Sequence, residues 1–282
     1  GDEPDLVGAS APTTPTRRLR LKRTGRGPGL GLGFAVVYMS VIVLIPLAVL
    51  VVKSGGHGRH FFWTAITTPE AESALKLTVG LSVLVALVNL VMGTLIAWVL
   101  VRDKFIGKGV IDVLIDLPFA LPTIVAGLVL LALYGFTSPL HVNLSFQRTG
   151  VFVALLFVTL PYVVRTVQPV LLELDRDMEQ AAHSLGASRA TTFRRIVLPN
   201  LMPAMLSGAG LAFTRSIAEY GSTILISGNL PGHTEVASVA IYNQIEGDNQ
   251  IGAAAISTVL LAIALVVLVI LDLLQRRGAR RG

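Results

Sequence analysis

The chain contains no cysteine. Disulfides, thiolate nucleophiles and cysteine-ligated metals are excluded, and cysteine usage is silent on the redox compartment. Charge is scarce: 14% of the residues are Asp, Glu, Lys or Arg, against about 25% in an ordinary soluble domain. His57, His60, His141, His183 and His233 are too scattered to hold a metal. No GxxxxGK[ST] loop is present, and the glycine-rich GRGPGLGLG (25–33) lacks the Lys-Ser/Thr pair that would make it a phosphate cradle. The alternation of a membrane barrel strand is also missing.

Apolar residues make up 53% of the chain and are blocked into six runs, near 32–52, 75–101, 110–134, 150–172, 201–227 and 251–274. A spanning helix needs about 20 apolar residues, and only helices satisfy their backbone segment by segment in lipid. The expected fold class is therefore an all-α polytopic membrane protein with six transmembrane helices. Residues 1–30 are rich in Pro, Gly and Thr and read as a disordered basic tail. Residues 31–73 hold the first helix and an outer loop, 74–275 the main body, and 276–282 a second basic tail.

The net charge of +6 orients the spans better than it suggests nucleic acid. With the N-terminus cytoplasmic, the inner segments carry the basic tail, Arg102, Lys104 and Lys108, Arg176, Arg189, Arg194 and Arg195, and finally Arg276, Arg277, Arg280 and Arg281. The outer segments carry Lys53, Arg59 and Arg148. The positive-inside rule then expects both termini in the cytoplasm.

Several spans carry irregular features. In the third, Pro118 and Pro122 lie four apart, consistent either with a proline-rich first turn or with a broken helix lining a pathway. Arg165 in the fourth and Arg215 and Glu219 in the fifth are ionisable groups at membrane depth, where a charge normally faces protein or water. Arg215 and Glu219 are four apart, so they can pair as internal glue or present positive potential to an anion. Ser216, Ser222, Thr223 and Ser227 are hydroxyls suited to oxyanion passage or to helix packing. Gly208, Ala209 and Gly210 permit close helix approach. No span contains His, and Glu219 reads as the only acid well inside one.

Between spans four and five lies MEQAAHSLGASRATTFRRIVLPN (178–200). Ala181, Ala182 and Leu185 make a short apolar face, Gly186 suits a left-handed helix C-terminus, and Ser188 suits an N-cap. The reading is a helix, a glycine corner and a second helix entering span five. Such an element wants a protein groove or packs on itself.

Glu/Gln-Ala-Ala, three residues, Gly, nine residues, Ile-x-Leu-Pro resembles the signature loop of permease subunits of bacterial ATP-binding-cassette (ABC) importers. Ala181, Ala182, Gly186, Ile196, Leu198 and Pro199 stand at the family spacing. The family usually has Glu before the alanines; this chain has Gln180 there and Glu179 one place earlier. DLPFALPTIVAGLVLLALYG, LPYVVRTVQPVLLELD, LAFTRSIAEYGSTILISGNLPGHTEV and GAAAIS narrow the likeness to T-type sulfate permease subunits, over about 74–275. Molybdate and tungstate permeases share parts of the pattern.

The resemblance implies a type I ABC importer permease fold and a non-enzymatic, pathway-forming subunit in the bacterial cytoplasmic membrane. It implies a coupling loop over 175–200, with Glu179, Gln180, Ala181, Ala182, Leu185, Gly186, Ala187, Ile196, Leu198 and Pro199 docking on the ATPase. Arg165, Arg215, Glu219, Ser222 and Thr223 are the pathway candidates. Implied partners are a W-type permease subunit, two ATPase subunits that hold ATP and Mg, an extracytoplasmic sulfate-binding protein and lipid. No cofactor or metal is expected in this chain, and no nucleic acid. A membrane-embedded enzyme lacks a paired nucleophile and base. An ion-coupled secondary transporter lacks a visible inverted repeat.

Overall fold

The computed structural model describes residues 29–56 and 58–279; nearly all of the first basic tail and the last three residues of the second lie outside them. The described residues are helical with connecting turns and contain no strand. The chain divides at Pro46 into two compact units. The first, within its described part, is helix. Helix α1 (Gly31–Gly55) contains a π turn at Ser40–Leu44, where the Ile45 N–H reaches back five residues to the Ser40 carbonyl. The widening just precedes Pro46, whose ring would clash with a carbonyl four residues back.

The second unit begins its own helices with α2 (Gly58–Ile66) and α3 (Pro69–Arg102). Thr68 caps α3, and Pro69 opens it where a missing N–H costs nothing. Then come α4 (Lys108–Ala120) and α5 (Thr123–Tyr134), α6 (Arg148–Glu173), α7 (Arg176–Ser184), α8 (Arg189–Ile217), α9 (Gly221–Ile226), α10 (Ala237–Glu246) and α11 (Gln250–Ala279). Five helices (α1, α3, α6, α8 and α11) are long and apolar enough to cross a membrane, and α4 with α5 makes a sixth span only if that bent pair counts as one.

That pair resolves the proline question in favour of a broken helix: α4 and α5 meet at 116°. Pro122 drives Leu121 out of the helical region (φ −84°, ψ 134°), and the Pro122 carbonyl restarts the hydrogen bonding of α5. The fifth run is also broken, which corrects the continuous 201–227 expectation. Helix α8 ends at Ile217, and Ala218 to Tyr220 form a turn before α9. The two breaks nest together. A Cβ on Gly221 would lie 2.2 Å from Thr123 Oγ1, and one on Gly127 2.7 Å from the Ser222 carbonyl. Only glycine allows this approach of α5 to α9.

The main core joins α3, α4, α6 and α8 through Leu100, Ile115, Val163, Val167, Leu171 and Leu201, all buried. A second cluster ties Phe213 and Ile217 to Ile256 on α11. Because lipid removes the hydrophobic drive between helices, close packing and interhelical hydrogen bonds carry the association. Asn89 Nδ2 donates to Thr159 Oγ1 at 2.8 Å between α3 and α6. Gly93 and Gly208 press on Val163 from opposite helices.

Candidate functional site: a helical corner and two ion-pair centres

Residues 175–200 fold as the expected helix, glycine corner and second helix. Asp175 caps α7 by accepting from the Asp177 N–H at 2.9 Å. At the other end the Ala187 N–H donates to the Ala182 carbonyl (3.0 Å) and the Gly186 N–H to the His183 carbonyl (2.9 Å), the bond pair of a Schellman motif. Gly186 has φ +83°. Ser188 Oγ accepts from the Thr191 N–H at 3.2 Å and starts α8. A second π turn, Phe193–Val197, precedes Pro199 as the first preceded Pro46.

Nothing lies within 4 Å of a Cβ built on Gly186, so only its backbone angle resists substitution. Gly186→Asn, which tolerates the left-handed region, is expected to keep the corner. Gly186→Val is expected to cost about 1–2 kcal/mol there and to loosen the corner. Gly186→Asp lies between them. Amide hydrogen exchange at the corner in the three variants checks this ranking; equal protection in Asn and Val would contradict it.

Helix α7 buries none of its residues. Leu185 at its end is 89% exposed. Gln180, Ala181 and Pro199 are exposed, Ala182, Ala187, Ile196 and Leu198 half-buried. Glu179 turns inward: Arg102 Nη2 donates to its Oε1 at 2.5 Å.

Arg165 is held by two acids that the sequence reading missed, Asp112 and Asp116 on α4. Its Nε and Nη2 grip the Asp116 carboxylate at 2.7 and 2.6 Å, and Nη1 reaches Asp112 Oδ1 at 2.8 Å. The Asp112 carbonyl and Gln168 Oε1 take the remaining donors. Glu219 is therefore not the only acid within a span-forming segment. The signal for the other two was their four-residue spacing in DVLID, which puts both on the face of α4 that meets α6.

Arg215 Nη2 lies 2.7 Å from Glu219 Oε2, close enough for an ion pair but without hydrogen-bond alignment. Glu219 stands in the turn beyond α8, and its Oε1 accepts from the Ser222 N–H at 2.8 Å. The Glu219 side chain is fully buried while Arg215 stays 30% exposed. The carboxylate thus caps α9 and anchors the partly exposed Arg215 side chain. The Ser216 and Ser222 hydroxyls are buried without partners. Thr223 Oγ1 donates to the Tyr220 carbonyl.

Beyond the spans, Glu235 is buried beside α10. Burial lifts its carboxyl above the ordinary range, the Asn243 amide partly opposes this, and Glu70 adds to it. A carboxyl raised in the folded state stabilises below its unfolded value, near 4.3, and that stability is lost as pH rises through the folded value. Glu235→Gln is therefore expected to flatten this fall of Tm with rising pH, read by thermal unfolding in detergent. An unchanged pH slope would contradict it.

Residues 89–280 match the family described as binding-protein-dependent transport system inner membrane component. The sulfate transport system permease protein CysT of Synechocystis sp. is 45% identical over 87% of this chain and 88% of its own length. The Escherichia coli (strain K12) protein of the same name is 40% identical over 86% and 91%. In fold, a chain of a bacterial alginate ABC transporter in complex with an alginate pentasaccharide-bound periplasmic protein superposes with TM-score 0.73 at 17% identity, over 88% of this chain and 93% of the other. An amino acid ABC transporter chain gives 0.54 at 21% identity, over 74% and 94%. With the family match spanning residues 89–280 and relatives at 40–45% identity covering 86–87% of the chain, the protein belongs to the binding-protein-dependent transport system inner membrane components, the permease subunits of ABC importers.

Proposed function

We propose that this chain is the T-type permease subunit of an ATP-driven importer of sulfate or thiosulfate. It pairs with a W-type subunit, two ATPase subunits that hold ATP and Mg, and an extracytoplasmic binding protein. It lies in the bacterial cytoplasmic membrane with both termini inside. The observation that carries the coupling role is α7: a polar helix that leaves all but Glu179 and Ala182 exposed and ends on the exposed Leu185. Such a helix needs a groove on another subunit. The choice of sulfate rests on the relatives' names and on the matching segments of spans three to five.

The Arg165 and Arg215 side chains are about equally exposed, but among the described residues Arg215 has only Glu219 as an ion-pair partner, whereas the donors of Arg165 are spent on its own chain. Arg165 is better read as a brace than as an anion contact. Arg215→Ala leaves Glu219 buried and unpaired, a change that costs about 3–5 kcal/mol, so assembly is expected to fail. Arg215→Ala with Glu219→Gln is expected to restore the complex but not uptake. Normal uptake by the double variant would remove Arg215 from the pathway.

The function itself is tested in a strain lacking this subunit. Restored uptake of sulfate in preference to molybdate is expected. Preference for molybdate or tungstate would place the chain among permeases for those oxyanions.

A further inference from the structure

The coupling corner touches the rest of the chain in an unusual way. A cleft of about 560 Å³ opens between α3 and the corner, with Leu95, Trp98, Glu179, His183 and Phe193 among its walls. Across it, α7 makes one side-chain ion pair to another helix, Arg102 with Glu179, and the two side chains are only 10% and 21% exposed. The Arg102 guanidinium carbon also sits 5.4 Å from the centre of the Trp98 ring. Trp98 in turn meets Phe193, in the π turn of α8, edge to face with centroids 5.6 Å apart. Trp98 and Arg102 are four apart and share one face at the end of α3. That end therefore grips both arms of the corner, α7 through charge and α8 through an aromatic contact.

We propose that Arg102 and Trp98 form a clamp that makes span two a second lever for the coupling corner; this rests on the coupling reading above. Covalently, the corner leads through α8 into span five and through residues 174 and 175 into span four. Without the clamp, α7 would pivot on Gly186 and Asp175 over an open cleft, and part of the ATPase movement would be lost in that pivoting. With it, movement of α7 reaches α3, a helix about 51 Å long at 1.5 Å per residue over its 34 residues. The clamp also gives Glu179 a role other than the expected docking on the ATPase. Glu179 faces inward to Arg102, and the exposed Gln180 is left for the partner.

The test uses the complete importer in vesicles, with the binding protein on the extracytoplasmic face and ATP on the ATPase face. The parent chain has no Cys, so nitroxide labels at Val99→Cys and Asp177→Cys report the distance between α3 and α7. The parent is expected to show one narrow distance with and without ATP. Arg102→Met is expected to broaden it and to lower sulfate moved per ATP by roughly fivefold, within the usual range of a coupling energy. The exchange Arg102→Glu with Glu179→Arg is expected to restore at least half of both readings, and to repair any loss of assembly that Arg102→Met causes. A narrow distance in Arg102→Met, unchanged sulfate per ATP, or an exchange that restores neither reading would overturn the clamp. Leu185→Asp separates the two ideas. If it leaves the ATPase bound while the label distance still responds to Arg102→Met, the coupling reading fails and the contact is only structural. If it releases the ATPase while the distance ignores Arg102→Met, the coupling reading stands and the clamp fails.

Discussion

Gly208→Val is expected to remove the folded chain from the membrane. A Cβ at this position would lie 2.8 Å from the Cα of Val163, with the Thr166 Cβ and the Tyr162 carbonyl at 3.4 Å. The obstacle is backbone, so no rotamer change relieves it, and α8 must back away from α6. Val163 is itself fully buried and is pressed from the other side at Gly93, so α6 has nowhere to go. Overpacking of this kind costs about 1–3 kcal/mol or more, and in lipid the helices have little hydrophobic drive with which to offset it. Size-exclusion of the detergent-extracted complex reads the result. Val163→Ala is not expected to rescue Gly208→Ala, because the obstructing atom is the Cα. Gly80→Ala serves as the control: nothing lies within 4 Å of its Cβ, and helix propensity favours alanine by about 0.5–1 kcal/mol. A stable Gly208→Val complex would mean that α6 and α8 are not packed this closely.

Arg165→Gln is expected to loosen α4 from α6 without changing the concentration dependence of sulfate uptake. Arg165 binds Asp116 through two donors and Asp112 through side chain and backbone. Lysine cannot reproduce that fork, so Arg165→Lys should behave much like Arg165→Gln. The carboxylates are 44% and 47% exposed, and solvent screening reduces the loss to about 1–2 kcal/mol. Removing all three charges, as Arg165→Gln with Asp112→Asn and Asp116→Asn, should be milder than Arg165→Gln alone, because it strands no carboxylate. Thermal unfolding of the four proteins checks the order. A raised KM for sulfate in Arg165→Gln with unchanged stability would return Arg165 to the pathway.

The contrast between these residues shows what was legible in the sequence. The existence of the long apolar helices was, because length and apolar composition specify it, but the third run became a bent pair and the fifth ended at Ile217. The corner was also legible, because Gly186 and Ser188 are the residue types that a left-handed C-terminus and an N-cap require. The small residues around Gly208 announced close packing, though not that Val163 would be the atom group they close on. The break at Pro122 was half visible, since proline marks a discontinuity without saying how sharp it is. The break at Ala218 to Tyr220 carried no such mark. It arises from Glu219 turning back to cap Ser222 and from Gly221 meeting Thr123, both decided by tertiary approach. The partners of Arg165 and Glu179 were hidden for the same reason: Asp112, Asp116 and Arg102 are 49 to 77 residues away in the chain, and helical period gives a face but not its neighbour.

The central claim is that this permease moves sulfate only when the corner at 175–200 is driven by a partner's ATP hydrolysis. The most direct measurement is uptake of radiolabelled sulfate by vesicles holding the complete importer, with the parent chain or Leu185→Asp. The parent should take up sulfate when ATP and the binding protein are both supplied. Leu185→Asp should lose that uptake and its bound ATPase together. Sulfate uptake driven by an ion gradient without ATP, or ATP-driven uptake undiminished in Leu185→Asp, would contradict the account.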